Sequence, residues 1–289
     1  MNGKKQQITD EKTANEAVKA INDGGFTVVS LKTGEKRKMP SPPFTTSSLQ
    51  QEAGRKLNFT TAKTMQIVQQ LYEGIDLQGE GTQGLVSYIR TDSVRISQDA
   101  LDAVRKYIPS QFGPDALPSK PNEYKGRQRA QDAHEAIRPT DVERTPDSIK
   151  DSLTKDQYNL YKLIYNRFVA SQMNAAVYET MTAEMDNGKC GLRFYGEQKR
   201  VAGFTVLYEE STDETVASNE VTLPALKQGQ TISIENVSAE QHFTQPPSRF
   251  TEASLVRTLE ENGIGRPSTY APTISTITSR EYVAKDGRY

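Results

Sequence analysis

Two proline breaks constrain this chain more than any other feature. Pro40, Pro42 and Pro43 fall within four residues, and Gln245-Pro246-Pro247 interrupts the chain again far downstream. Proline fixes φ and lacks an N–H, so helix interiors and central strands reject such runs. The hydrophobic period changes across these breaks. It passes from helical to two before the first, turns helical from Thr45, reverts to strand-like near Val177, and is helical again after Pro247. The pattern predicts an α+β chain of more than one domain.

The local signals are specific. Thr9-Asp10-Glu11 followed by Ala14, Ala17, Val18 and Ile21 predicts an amphipathic helix ending at Gly24-Gly25. Phe26 to Leu31 alternates as a strand, with a basic turn after it. Residues 46–56 read as a short helix. A second is capped by Thr60 or Thr61, with Thr64, Val68, Leu71, Tyr72 and Ile75 on one side, and Gly74 to Gly84 reads as a loop. An extended segment around Tyr88 leads to a helix capped by Ser97 that carries Ala100, Leu101, Val104 and Ile108, then a loop over 109–127. A short helix is expected from Ala130 to Ile137. Thr154 and Gln157 form a capping box before a long helix with Tyr161, Ile164, Tyr165 and Phe168 inward. Strands are expected at Val177–Met185, Cys190–Phe194, Val201–Tyr208 and Thr231–Val237, with Asn187-Gly188 as a hairpin turn and 209–220 as an acidic, mobile loop. Thr251 and Ser268 each cap a further helix. Val283–Tyr289 reads as a hairpin cut off midway, as if the last domain were incomplete.

Composition narrows the classes. No apolar run approaches the roughly 20 residues of a membrane span, and the N-terminus lacks the apolar core of a secretory signal. A single cysteine, Cys190, excludes an intramolecular disulfide and a cysteine-based zinc site. A cytoplasmic protein is expected. The net charge of −1 argues against a non-specific nucleic-acid coat but permits a local groove. Lys120, Lys125, Arg127, Arg129, Arg138 and Arg144 fall within one stretch that has fewer acids than bases. It reads equally as a solvated loop.

Three clusters carry chemistry. Tyr88, Arg90 and Asp92 lie two apart, so an extended backbone puts them on one face. A phenol is a weak nucleophile until a cation stabilises its phenolate, and a guanidinium fork fits phosphate oxygens. The same spacing also fits a buried tyrosine beside a satisfied ion pair. His134 and Arg138 would share a helix face able to contact a phosphate, or simply cap a surface helix. Arg266-Pro267-Ser268-Thr269 places an arginine and hydroxyls at a helix N-terminus, where anions bind, or where a plain cap would sit.

Resemblance then weights these clusters. Gly84–Ser93 resembles the active-site tyrosine motif of type IA DNA topoisomerases. Ala130–Thr140 is similar to a second signature of that family, and Pro247–Tyr270 to a third. The three occur in the family's order. Ile89 after the tyrosine is closer to the bacterial topoisomerase I branch than to the topoisomerase III branch, which usually has proline there.

The resemblance implies an isomerase in which Tyr88 attacks a phosphate of one DNA strand and forms a 5′-phosphotyrosine. The other strand passes, and religation without ATP relaxes negative supercoils. It implies Arg90 and His134 as further catalytic residues, Arg90 stabilising charge and lowering the tyrosine pKa. Thr91, Asp92, Glu135, Arg138, Arg249, Arg266, Ser268 and Thr269 would contact DNA, preferentially single-stranded. The family also uses an N-terminal toprim domain whose acidic Asp-x-Asp cluster binds Mg²⁺. No Asp-x-Asp occurs here, so no metal ligand is expected in this chain, and it reads as a central fragment whose partner is the toprim domain of the same parent. Alone it would be monomeric and inactive in relaxation. By resemblance, residues 1–45 and 175–245 form a discontinuous β-rich hinge domain. Residues 46–174 form a mainly helical, winged-helix-like domain with the tyrosine, and 246–289 begin another helical DNA-binding domain. A competing reading is a non-catalytic module whose tyrosines stack on the bases of a single strand, which thirteen tyrosines permit. A relaxase fits poorly, since His134 and His242 are too far apart in sequence to suggest a paired-histidine metal site.

Overall fold

The computed structural model describes residues 7–126, 134–211 and 220–289. In chain order the elements are α1 (Glu11–Asn22), β1 (Phe26–Lys38), α2 (Thr46–Leu57), α3 (Thr61–Glu73), β2 (Ile75–Leu77), β3 (Gly81–Gln83), α4 (Gln98–Phe112), α5 (Lys155–Ser171), β4 (Ala176–Asp186), β5 (Gly191–Val201), β6 (Thr231–Ile232), α6 (Glu252–Glu261) and α7 (Tyr270–Ser279). Helix and strand are mixed, and every strand pair within the two sheets is antiparallel. The chain divides into two compact units.

The first unit comprises the described residues of 1–38, 176–201 and 217–247. Its sheet runs β5-β4-β1-β6. β1 is longer than its alternation predicts: the expected basic turn is strand, because Lys32 to Lys38 pair in register with Thr182 to Ala176 of β4. Their side chains are largely exposed, as suits a sheet face turned to water. The β4–β5 turn centres on Gly188-Lys189 rather than Asn187-Gly188. Asn187 instead folds back, its Oδ1 accepting from Lys189 N (3.0 Å) and Cys190 N (2.9 Å), while Gly188 takes φ +83°. The strand expected at Thr231–Val237 is only the two residues of β6.

The second unit comprises the described residues of 39–175, 202–216 and 248–289. Its helices begin as their caps dictate. Thr45, Thr154 and Thr251 each close a capping box, and Thr60 caps α3. α2 packs against α3, α5 and α6, and α3 against α5 and α7. Leu49, Val68, Leu71, Val104, Ile108, Ile164 and Phe168 are fully buried in this unit. Gly74 to Gly84 is not an open loop: β2 and β3 pair as a small hairpin, Ile75 opposite Gln83. Val201–Tyr208 is not a strand either. A 3₁₀ turn spans Gly203–Val206, where Gly203 at φ +52° lies against the backbone of Asn174 and Ala175. No strand forms over Val283–Tyr289, where reciprocal backbone bonds between Asp286 and Tyr289 close a turn.

One buried cation anchors the 202–211 segment. The Arg167 guanidinium lies 5.0 Å from the ring centres of both Phe44 and Tyr208. It donates to Pro42 O (2.6 Å) and to Glu210 Oε1 (2.7 Å). Tyr208 in turn donates to Glu52 Oε2 at 2.6 Å. Burial pushes the Tyr208 phenol well above its ordinary range, so it stays a donor.

Candidate active site

The tyrosine motif is held by backbone pairing on two sides rather than by a strand ladder. Leu85 N donates to Leu71 O of α3 (2.8 Å), and Val86 bridges to Pro139. Ser87 N donates to Arg138 O (2.9 Å), Arg138 N donates to Ser87 Oγ (3.0 Å), and Ser87 Oγ donates to Ala136 O (2.7 Å). On the other side stands Thr46, the first residue of α2 and fully buried. Its hydroxyl donates to Ile89 O (2.7 Å) and Thr91 O (3.0 Å) and accepts from Thr91 N (2.9 Å), and its own N–H donates to Thr91 O (2.9 Å).

This clamp imposes a period of two on burial. Ile89, Thr91 and Ser93 are buried, Tyr88 and Arg90 are exposed, and Asp92 is half-buried. Tyr88 and Arg90 therefore face outward together. Thr91 does not join them: at 1% exposure its hydroxyl accepts from Ser93 N (3.0 Å), so it shapes the loop and offers no surface to DNA in this conformation.

The Tyr88 ring, 42% exposed, sits between two others. The His134 ring lies 5.1 Å away, tilted by 49°, and Tyr72 of α3 lies 5.8 Å away edge-on. Tyr72 is 39% exposed rather than inward with Val68 and Leu71. Four other tyrosines contrast with Tyr88. Burial pushes the phenols of Tyr124, Tyr161, Tyr165 and Tyr208 upward. Each donates to a fixed acceptor, such as Arg144 O for Tyr161 and Val142 O for Tyr165, both at 2.7 Å. Those are structural tyrosines, whereas the Tyr88 phenol faces solvent.

The second motif corrects an expectation. Residues 130–133 lie outside the described residues, as do Arg127 and Arg129. Residues 134–139 are not helical: Ile137 bridges to Phe44, and Ile137 N donates to Phe44 O at 2.8 Å. This long-range pairing outweighs the weak helical tendency of a short segment that ends at a proline. His134 still reaches Tyr88, but Arg138 is occupied. Its guanidinium donates to Glu135 Oε2 (2.9 Å), Pro139 O (2.9 Å) and Ser97 Oγ (3.3 Å). Ser97 therefore serves Arg138, and makes no side-chain cap to α4.

In the third motif Thr269, not Ser268, is the residue before α7. Its hydroxyl accepts from Arg266 N (2.8 Å) and closes the turn instead of capping the helix. Arg266 donates to Gly265 O (2.8 Å) and is exposed, as are Ser268, Thr269 and Arg249. Among the described residues, no hydrogen bond, ion pair or ring contact joins Arg249 to the tyrosine. Ser268 is brought close to Arg90: the two line one cleft of about 260 Å³ between α3 and the start of α7. Among the described residues, no hydrogen bond or ion pair engages the Arg90 side chain. Thr46, Tyr72 and Met65, which lines that cleft, were not legible as site residues. A capping threonine and a helical aromatic carry no signal of what they face across the fold. Among the described residues no group of three His, Cys, Asp or Glu is placed to hold a metal ion.

The family model described as DNA topoisomerase matches residues 1–289, the whole chain. Among solved structures the chain is similar to full-length topoisomerase I from Thermotoga maritima, at 36% identity and a TM-score of 0.83. The match covers 99% of this chain and 45% of that one, so the chain spans less than half the length of that protein.

Proposed function

Because the chain belongs to the DNA topoisomerase family, we propose that it supplies the nucleophile and part of the strand-binding surface of a type IA enzyme that cuts one DNA strand through Tyr88. The observation that carries this reading is the placement of an exposed phenol against the His134 ring, with the exposed Arg90 on the same side of the backbone-paired loop.

The Tyr88 oxygen attacks a phosphodiester phosphorus and gives up its proton. The bond from phosphorus to the 3′ oxygen breaks, its electron pair leaves with that oxygen, and the oxygen takes up a proton. The product is a 5′-phosphotyrosine. One ester replaces another, so the reverse attack by the 3′ hydroxyl reseals the strand without ATP. Arg90 offsets charge gathering on the phosphoryl oxygens. His134, whose ring lies 5.1 Å from that of Tyr88, moves a proton there. Asp92 orients neighbours. The substrate is single-stranded DNA, and Arg249, Arg266, Ser268 and Thr269 line its path. By role, residues 1–45 with 175–245 serve as the hinge, 46–174 carry the nucleophile, and 246–289 begin a DNA-binding domain.

The test is covalent capture. This chain with a separately made toprim domain of the family should yield a protein–oligonucleotide adduct, and Tyr88→Phe should yield none. The chain alone should not relax supercoiled plasmid. An adduct formed by the Phe variant, or relaxation by the chain alone, overturns the reading. A variant that binds oligonucleotide as weakly as any other exposed-tyrosine variant, with no adduct from wild type, would favour a non-catalytic binding module.

A further inference from the structure

The cleft beside Arg90 has a composition that the cutting chemistry does not require. Ala62 and Met65 of α3 form one wall, and Pro267, Ala271 and Pro272 the other. Arg90 supplies the one charge in the lining, and two hydroxyls, Ser268 and Ser275, lie on the α7 side. The volume, about 260 Å³, is below the roughly 300–1,000 Å³ of a pocket for a drug-sized ligand. A largely apolar cleft of that size with one cation in its lining matches a flat heterocycle joined to a phosphate. Two residues of chain span at most about 7 Å, so a phosphate on Arg90 lies close along the strand to one at Tyr88.

We propose that this cleft holds one unstacked nucleobase of the DNA strand, next to a phosphate held by Arg90, and that it contributes to selecting single strands. The inference rests on the proposed DNA-cutting function. A base in a duplex is paired and stacked on both faces, and extracting it costs a few kcal/mol. A base of a single strand enters without that cost. The wall atoms are aliphatic and thioether, so the slot takes the apolar face of any base; sulfur–ring contact at Met65 adds to the fit. This differs from an aromatic stacking platform, since none of the residues lining the cleft is aromatic.

The test fills the slot from either wall. Ala62 and Ser275 are exposed, on different helices, so Ala62→Trp and Ser275→Trp are tolerable in the fold and are checked by melting temperature. Fluorescence anisotropy compares a labelled oligothymidylate with an abasic phosphodiester chain of equal length. Wild type should prefer the strand with bases by about tenfold, the scale of one base contact. Each Trp variant should lose most of that preference and keep its affinity for the abasic chain. Variants that bind both strands as wild type does, or lose both equally, overturn the base slot and leave the cutting function standing. Failure of wild type to bind any oligothymidylate overturns both.

Discussion

Thr46 is the residue whose loss should most directly loosen the tyrosine loop. Thr46→Val keeps the shape and removes the hydroxyl. Thr91 N–H and Ile89 O then lose their partner in a region where Thr46, Ile89 and Thr91 are all about 1% exposed or less. Thr91 O keeps the bond from Thr46 N. Each of the two orphaned buried groups costs about 1–3 kcal/mol, so the expected loss is about 2–6 kcal/mol. For a unit of this size that lowers Tm by roughly 4–24 °C. Thr46→Ser, which retains the hydroxyl, should recover most of it. The assays are thermal and denaturant melting, with amide exchange at Thr91 rising selectively in the Val variant. A loss below about 0.5 kcal/mol, or equal losses in Val and Ser, would refute the clamp as the device that presents Tyr88.

Two further predictions follow from the same unit. Burial pushes the Glu252 carboxyl upward, but hydrogen bonds from Lys285 and from the N–H and hydroxyl of Thr61 outweigh it and hold the group below its ordinary value of 4.5. A lowered folded value means that the stabilisation is present above about pH 4.5 and lost as pH falls through that lowered value. Melting profiles of wild type and Glu252→Gln should therefore diverge at neutral pH and converge at low pH; parallel profiles would refute it. Gly203→Ala should be among the most damaging small substitutions. An added Cβ would lie 2.6 Å from Asn174 O and closer still to the Ala175 carbonyl, at a φ of +52° that disfavours alanine. A loss above about 2 kcal/mol is expected by denaturant melting, and a neutral outcome would show that the turn shifts freely.

Much of the local architecture was legible because its causes are local. A cap bonds three residues away, so Thr154 and Thr251 mark true helix starts from sequence alone, whereas the structure decides for Thr60 over Thr61 and adds Thr45 as the cap of α2. The spacing of Tyr88, Arg90 and Asp92 already implied alternating exposure, and burial follows it. Errors fell where distant backbone decided. The His134 segment looked helical, yet pairs with Phe44 and Val86 some fifty to ninety residues earlier. The basic run after Leu31 looked like a turn, yet β4 is available to pair with it. Ser97 and Ser268 looked like caps, yet one hydroxyl receives Arg138 and the other faces the Arg90 cleft.

The sequence by itself determined most of the helix starts, the alternation that turns Tyr88 and Arg90 outward, and the three motifs whose order identifies the family. The tertiary structure decided what surrounds the phenol. It set His134 and Tyr72 on either side of Tyr88, locked the loop onto Thr46, and brought α7 up to Arg90. The reason is one of range. Caps and side-chain periodicity act within a turn or two of chain, whereas a site assembled from residues 46, 72, 88, 134 and 268 exists only after packing has brought those segments together.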